Sequence, residues 1–347
     1  MKKVCSYLFL ILTVAIYYCS NNSSIIEYYS EYRIGKPFIS PGHRGLGDLY
    51  NMCFISEFNT SIEYALPEIK SKKSDIDLYV ICDSYLMSHL KKENVANIDS
   101  FFKMKWWDES TYKTIKGLNK NKHNILVIEM SERFVRGNCN NYSTLTNPIL
   151  FDSTFQEGKT KISLGGEEKS FLEKHFFNPN INSNLEMNLF DYTLFYPLKE
   201  IKGNLNYHWF NRIPEDVYID KENYFLYYKP TLLGEQNMNS FFPIDSSEID
   251  NITCTLNRAF SYYRNHGFNE IYFSIIPNPV SVINPGLGVY NKLIPQLMRE
   301  GQLHCKKIDA YLLFIKNAKS YYINSDTHWN SSGLNKWVRT LNDSLTK

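Results

Sequence analysis

Two apolar runs, each followed at once by polar residues, constrain the fold of this chain most. DIDLYVI (75–81) is a β-branched run with acids at its start, and SYLMSHLKKE follows it directly. It predicts a buried strand that leads straight into a helix. HNILVIEM (123–130) is a second such run and ends in the polar SERFVRG. Strands that lead directly into helices predict an α/β fold with a parallel sheet flanked by helices.

The same alternation returns near the C-terminus. IDNITCTLNRAFSYYRNHG (249–267) predicts a helix that ends at Gly267, and NEIYFSIIPNP (269–279) predicts a strand broken by Pro277. YNKLIPQLMREG and SSGLNKWVRTLNDSL predict further helices. Residues 140–245 are less regular, with short predicted strands at DVYID and YFLYYK. We therefore expect one domain over 41–347 with an irregular insertion or lobe at about 140–245.

The first twenty residues have the pattern of a targeting segment. Lys2 and Lys3 precede an apolar run over 4–18, and CSNNSS follows it. This predicts a signal peptide or membrane anchor over 1–20 and a tether over 21–40. Cleavage, retention as a short anchor and lipidation at Cys19 remain open, although small residues are expected before a lipidated cysteine. All three outcomes predict an extracytoplasmic protein, in the periplasm or at the cell surface.

Composition excludes several classes of protein. The chain has 347 residues and a net charge of +2 with interspersed signs, which argues against nucleic-acid binding. The cysteines show no CxxC spacing, so we expect no metal site; one disulfide is compatible with their number, but no pair is indicated. No cofactor is implied. Aromatic residues make up 15% of the chain, which suits either an aromatic core or a surface that stacks on sugars.

Ser84 stands where the first strand ends and a helix begins, in YVICDSYL. A serine on such a turn presents its Oγ beside helix N-terminal amides, which can stabilise an oxyanion. The alternative is that Asp83 or Ser84 only caps the helix.

The loop YYINSDTHWNSSG (321–333) supplies an acid and an imidazole two residues apart. In an extended segment Asp326 and His328 project to one side, so the carboxylate can hold Nδ1–H and leave Nε2 for a serine. Trp329 would pack against the imidazole or a bound sugar. The alternative is a hydrogen-bonded loop with a capping Asp. We therefore predict a Ser84–His328–Asp326 triad.

These segments resemble the alginate O-acetyltransferase family of the SGNH/GDSL hydrolase superfamily. YYINSDTHWNSSGLNKWV is similar to the Asp-x-His-Trp loop of that family, YVICDSYL to its Gly-Asp-Ser block, and ILVIEMSERFVRG to its Glu-x-x-Glu-Arg strand. The resemblance covers about two thirds of the chain and is weakest over 140–245. Two features differ: the serine block here precedes the Asp-x-His-Trp loop, as if permuted, and Cys82 stands in place of the glycine, where a Cβ could disturb the turn or the oxyanion hole.

The resemblance implies an SGNH-like fold in which Ser84 is the nucleophile, His328 the general base and acid, and Asp326 its orienting partner. Arg133 is expected to line the pocket, with a salt bridge to Glu129 or Glu132 as the alternative. Trp329 and Asn330 are further expected pocket residues. The implied function is O-acetylation of a polysaccharide acceptor, with acetyl supplied by a membrane-bound acyltransferase partner. A carbohydrate esterase and a non-catalytic carbohydrate-binding or assembly protein on a decayed scaffold are the alternatives.

Overall fold

The computed structural model describes residues 2–33, 36, 46–69, 74–152, 180–234 and 236–345. The chain divides into two compact units. The smaller comprises Met1–Gly45, Phe54–Glu57 and Lys159–Arg212, and the larger comprises Leu46–Cys53, Phe58–Gly158 and Ile213–Lys347.

The larger unit is an α/β structure. Its strands are β1 (Ile76–Cys82), β2 (Ser100–Lys105), β3 (Lys113–Ile115), β4 (His123–Ser131), β5 (Ile149–Phe151), β6 (Val217–Asp220), β7 (Phe225–Tyr228), β8 (Glu270–Ile276) and β9 (Lys306–Lys307). The main sheet has the order β2-β1-β4-β8-β9, and every neighbouring pair in it is parallel. This confirms the predicted α/β class with a parallel sheet. A short parallel pair (β3–β5) and an antiparallel hairpin (β6–β7) lie outside the main sheet.

The helices of the chain are numbered here in sequence order. The smaller unit contains α1 (Lys2–Asn21), α2 (Ser23–Tyr32), α7 (Ile181–Phe190) and α8 (Tyr196–Phe210). The larger unit contains α3 (Asp48–Cys53), α4 (Ser84–Met87), α5 (Glu132–Asn138), α6 (Tyr142–Thr146), α9 (Pro230–Leu233), α10 (Ser246–Asn265), α11 (Pro279–Ile283), α12 (Leu293–Leu297), α13 (Ala310–Phe314) and α14 (Ser331–Leu345).

Two hydrophobic clusters cover the two faces of the main sheet. Alternate residues of a strand point to opposite faces, so Val80 of β1 joins one cluster and Ile81 joins the other. Trp337 of the C-terminal helix α14 belongs to the Val80 cluster, whereas Phe260 of α10 belongs to the Ile81 cluster. The amphipathic helices α10 and α14 therefore enclose the sheet between them.

Several predicted elements are shorter than their sequence pattern. The helix predicted after β1 ends at Met87, and the backbone carbonyls of Met87 and Leu90 accept hydrogen bonds from Lys103 Nζ. The helix predicted over 290–301 is limited to Leu293–Leu297. In contrast, β8 ends at Ile276, directly before Pro277, as expected. Gly267 follows α10 with φ +105°, a backbone conformation that favours glycine.

The region predicted as a tether contains regular structure. Residues 23–32 form α2, whose N-terminus is capped by Asn22, and Arg33 is buried. Residues 34, 35 and 37–45 of the predicted tether and domain start lie outside the described residues.

The region predicted as an insertion is divided between the two units. Residues 180–212 belong to the smaller unit, whereas 213–245, with the β6–β7 hairpin, belong to the larger. Residues 153–179 and 235 lie outside the described residues.

Helix α1 includes a stretch, Lys3–Asn21, that is long and apolar enough to cross a membrane. A signal sequence has the same properties, so this finding agrees with the predicted targeting segment without choosing between cleavage and retention.

Candidate active site

Ser84 lies at the carboxyl end of β1, in the turn that begins α4. Asp83 fixes this turn and is 3% exposed. Its Oδ1 accepts a hydrogen bond from Tyr85 N (2.9 Å) and its Oδ2 accepts one from Ser131 N (2.9 Å). Asp83 is therefore the helix cap and also connects the serine turn to the end of the neighbouring strand β4.

A buried glutamate supports the same turn from β4. Glu129 is fully buried, and its Oε2 accepts a hydrogen bond from Asp83 N at 3.0 Å. Burial raises the pKa of Glu129 well above its ordinary value, and the charge of Asp83 raises it further. Burial and the neighbouring Asp83 side chain therefore both favour the neutral form of Glu129.

The amides on either side of Ser84 are already used, since Tyr85 N binds Asp83 and Asp83 N binds Glu129. Among the described residues, the Ser84 N–H has no hydrogen-bond partner. This amide is thus able to donate a hydrogen bond to a bound group.

Cys82 does not project into this turn. It is the last residue of β1, pairs with Lys105 of β2, and its side chain is buried in the hydrophobic cluster that contains Trp337. The Cβ that replaces the expected glycine is therefore accommodated in the core. No disulfide joins any of the seven cysteines, so the one that their number allowed is not formed.

The loop before α14 brings His328 to Ser84. Ser84 Oγ lies 2.8 Å from His328 Nε2, across 244 residues of sequence. The loop is shaped by its own backbone, since Ile323 N donates to His328 O (3.2 Å) and Tyr322 forms a bridge with Trp329. The Tyr85 hydroxyl donates to Thr327 O, which connects the loop to the serine helix.

Asp326 orients the imidazole. Its Oδ1 lies 2.7 Å from His328 Nδ1 and accepts a hydrogen bond from His328 N at 2.9 Å. Asp326 is 4% exposed. Burial alone would raise the pKa of this carboxyl, but its hydrogen bonds with His328 lower it below the ordinary value. The structure therefore brings together the three predicted triad residues in the order that Ser-His-Asp chemistry requires.

A second carboxylate, Asp48, was missed by the sequence analysis. Asp48 Oδ2 lies 3.3 Å from His328 Nδ1, and Asp48 N donates to Asp326 Oδ2 at 3.0 Å. Burial lowers the pKa of His328, but the two carboxylates outweigh this effect and raise it to about 9. The sequence around Asp48, HRGLGDLYN (43–51), places this acid after two glycines, a local pattern that by itself indicates only a turn.

A glycine makes the approach of Asp48 to this loop feasible. A Cβ on Gly47 would lie 2.0 Å from Ser325 O. The same carbonyl accepts hydrogen bonds from Leu49 N (3.1 Å) and Tyr50 N (3.0 Å), so the start of α3 is bound tightly to the loop that contains Asp326 and His328.

Asp48, Asp326 and His328 each offer one ligand atom, and these atoms lie within 4.8 Å of one another. Two carboxylates and an imidazole are a donor set that divalent transition metals accept. A metal ion bound to His328 Nδ1 would displace the proton on that nitrogen, and with it the hydrogen bond to Asp326, so it would compete with the triad arrangement.

Arg133 lies in the first turn of α5, directly after β4. Its guanidinium packs over the rings of Phe134 (5.2 Å) and Tyr228 (6.0 Å), and Nε is buried without a hydrogen-bond partner. Within the described residues Arg133 forms no ion pair with Glu129 or Glu132. Glu132 instead accepts hydrogen bonds from Asn278 N (2.8 Å) and Ser281 Oγ (2.7 Å).

Trp329 is not a pocket residue. It is completely buried, with its ring edge-on to Tyr85 (5.3 Å) and Phe314 (5.9 Å). This burial contradicts the expectation that Trp329 contacts a bound sugar. Its side chain instead packs in the hydrophobic core and stabilises the loop. The ring that packs against His328 is that of Tyr85, at 4.5 Å between centroids.

Asn330 serves the helix that follows it. Its Oδ1 accepts hydrogen bonds from Ser332 N (2.9 Å) and Gly333 N (3.1 Å), and its Nδ2 donates to Ser320 O (2.9 Å). With both ends of the amide engaged, Asn330 caps α14, and the expectation that it binds substrate is replaced by this structural role.

Comparison of the chain with protein-family models, with curated proteins and with solved structures found no match. The functional argument therefore depends on the geometry of the site.

Proposed function

We propose that the chain is an extracytoplasmic, serine-dependent O-acetyltransferase that acts on a polysaccharide. The observation that supports this most is the 2.8 Å contact between Ser84 Oγ and His328 Nε2, with Asp326 on the other nitrogen of the ring. A nucleophile, a base and an orienting carboxylate in this geometry are the requirements of acyl transfer through a covalent intermediate.

In the first half-reaction, Ser84 Oγ attacks the carbonyl carbon of an acetyl donor, and its proton moves to His328 Nε2. The carbonyl oxygen becomes an oxyanion that the Ser84 N–H stabilises. The tetrahedral intermediate collapses when the bond to the leaving group breaks, and His328 returns the proton to that group. The acetyl group is then bound to Ser84 as an ester.

In the second half-reaction, His328 removes the proton of a sugar hydroxyl, whose oxygen attacks the acetyl-serine. Collapse of the intermediate releases the O-acetylated sugar, and the proton returns to Ser84. Water in place of the sugar would make the same site an esterase, because the triad chemistry is shared. The first half-reaction requires an acetyl donor outside the cytoplasm, and a membrane-bound acyltransferase partner would supply it.

Arg133 is proposed to hold negative charge in the pocket, either on the acyl oxyanion or on an acidic sugar. Its support is the free Nε and the absence of a partner carboxylate among the described residues. An arginine of this kind is prepared to form charge-assisted hydrogen bonds to an incoming anion.

The experiment is turnover of p-nitrophenyl acetate by the purified chain, beside Ser84→Ala and the matched control Ser88→Ala. Ser88 lies at the exposed end of the same helix, so its loss tests for a general effect on α4. We expect wild-type and Ser88→Ala to release p-nitrophenol and Ser84→Ala to lose the activity. Mass spectrometry of the acid-quenched wild-type protein should show an acetyl group on Ser84.

The acceptor is tested by adding polysaccharides to the same reaction. A transferase yields O-acetylated sugar and less free acetate, whereas an esterase yields acetate at an unchanged rate. Equal and negligible turnover by wild-type and Ser84→Ala, with no acetyl group on Ser84, would contradict the catalytic proposal and favour a non-catalytic carbohydrate-binding protein.

A further inference from the structure

The C-terminal end of α1 is packed into the smaller unit. Ser20 and Asn21 are 0% and 1% exposed. Asn184 Nδ2 donates to Ser20 O (2.9 Å) and Asn188 Nδ2 donates to Ser20 Oγ (2.8 Å), so two side chains of α7 bind this end of the helix. Removal of α1 would leave both amides without these partners.

The rest of α1 is exposed and apolar. Leu8, Phe9 and Ile11 are 61%, 72% and 64% exposed. The whole helix is about 30 Å long, but its apolar run over 4–18 accounts for only about 22 Å, somewhat less than the roughly 30 Å hydrocarbon layer of a bilayer. If α1 spans the bilayer, the membrane surface lies near Ser20, where the helix joins α7.

Two grooves run along α7 and share one wall; the first is mainly apolar, whereas the second is also lined by Glu186, Lys199 and Lys202. The first has a volume of about 490 Å³ and is lined by Ile16 of α1, Ile26 of α2 and Leu189 of α7. The second has a volume of about 580 Å³ and is lined by Leu189 again and by Leu198 of α8. Leu189 therefore connects the surface of the apolar helix α1 with that of α8.

The surface continues along α8 as an exposed apolar stripe. Its members recur at helical spacing and are exposed over 42–78% of their surface: Leu198, Ile201, Leu205 and Trp209, with Leu194 in the turn just before the helix. The opposite side of α8 is engaged, since Gly203 is buried and Asn204 Oδ1 accepts a hydrogen bond from Ser56 N (3.1 Å). An exposed apolar surface of this extent indicates a binding partner. Because a membrane-embedded α1 would place this surface beside the bilayer, the partner expected here is lipid.

We propose that α1 is retained in the folded protein as a membrane anchor, and that the apolar stripe of α8 lies on the bilayer surface where α1 leaves it. The stripe binds the boundary between headgroups and acyl chains, and Trp209 lies at that depth, which tryptophan favours. This proposal is independent of the reaction proposed above.

The first measurement is the mass of the full-length chain purified from membranes. A retained anchor gives a protein that still contains residues 2–21, whereas a chain that begins near Cys19 or beyond would overturn the proposal.

The second measurement is quenching of tryptophan fluorescence by lipids brominated near the headgroup, with the full-length chain in proteoliposomes. We expect Trp209→Phe to remove most of the quenching. The matched control is Trp107→Phe, because Trp107 is also exposed (47%) but belongs to the other unit; its loss should leave the quenching unchanged. Quenching that persists in Trp209→Phe would overturn the placement of α8. A photo-crosslink from position 209 to another protein, without lipid quenching, would overturn it in favour of a protein partner.

Discussion

At the scale of single residues, the imidazole of His328 is unusual because it faces two carboxylates. Asp326 binds it directly and is buried, whereas Asp48 is half-exposed and lies slightly farther away. Both favour the protonated ring, which cannot act as a base. At neutral pH the site therefore favours the imidazolium form of His328, and only a minor fraction of the ring is the neutral base that the proposed reaction needs.

This arrangement predicts the pH dependence of the reaction. Since the pKa of His328 is raised to about 9, kcat/KM of the free enzyme should rise with pH through that value. Asp48→Asn removes one of the two charges and keeps the backbone N–H that binds Asp326. We expect its acid limb to move to lower pH and its rate at pH 7 to increase, as measured by kcat/KM for p-nitrophenyl acetate across pH 6–10.

The comparison for this variant is Asp326→Asn, which removes the orienting group itself and should lower kcat on the order of 10⁴-fold. Glu68→Gln, a change of charge at an exposed position, should leave the acid limb in place. A profile of Asp48→Asn that coincides with wild-type would show that Asp48 does not act on the imidazole.

At the scale of elements, the site depends on contacts between segments that are far apart in sequence. The start of α3 binds Ser325 O, and a side chain on Gly47 would collide with that carbonyl. We expect Gly47→Ala to lower the free energy of unfolding by about 1–3 kcal/mol, because the two backbones must separate. It should also lower kcat, since Asp326 and His328 follow Ser325 directly.

The matched control for that variant is Gly117→Ala. A Cβ at Gly117 meets no atom within 4 Å, and its φ is not positive. Chemical denaturation of both variants measures the difference. Equal stability and equal activity of the two variants would contradict the tight packing of α3 on the loop.

The cap of α14 gives a second prediction for an element. Asn330→Ala leaves Ser332 N and Gly333 N without their acceptor, and loss of an N-cap costs roughly 1 kcal/mol. Asn330→Asp retains the acceptor and should restore most of that stability. We expect both variants to keep the wild-type KM, measured beside their thermal unfolding. A raised KM in both variants would indicate instead that Asn330 contacts the substrate.

The strands β1, β4 and β8 could be predicted because each is a β-branched run bounded by polar residues or proline. Asp326 and His328 could be paired because they are two residues apart. Asp48 could not, since its contact with Asp326 joins positions separated by 278 residues. Burial of Trp329 depends on packing from Tyr85 and Phe314, which no local pattern records.

At the scale of the whole molecule, pKa values raised and lowered on folding determine how stability varies with pH. Burial raises the pKa of Glu132 to about 7, and the carboxylates raise that of His328 to about 9. Burial lowers the pKa of His89 to about 4, which offsets Glu132 below pH 6.5. Above pH 6.5 the folded protein binds more protons than the unfolded chain, so stability should fall as pH rises toward 9.

Thermal unfolding between pH 6 and 9.5 checks this expectation. Tm should fall by several degrees over the upper part of the range, and His328→Gln should flatten the decrease, because the main titrating group is gone. A Tm that rises with pH in wild-type would contradict the direction of both shifts.

The large sequence separation of Ser84 and His328 also determines when the site can form during synthesis of the chain. A ribosome makes roughly 5–20 residues per second, so the 244 residues between them take roughly 12 to 50 seconds. Throughout that interval the emerging polypeptide contains Ser84 without the imidazole that would activate it. On the proposed mechanism, acyl donors in the compartment of synthesis therefore meet an unactivated serine alcohol, and acylation becomes feasible only after the segment with His328 has left the ribosome and packed against the sheet.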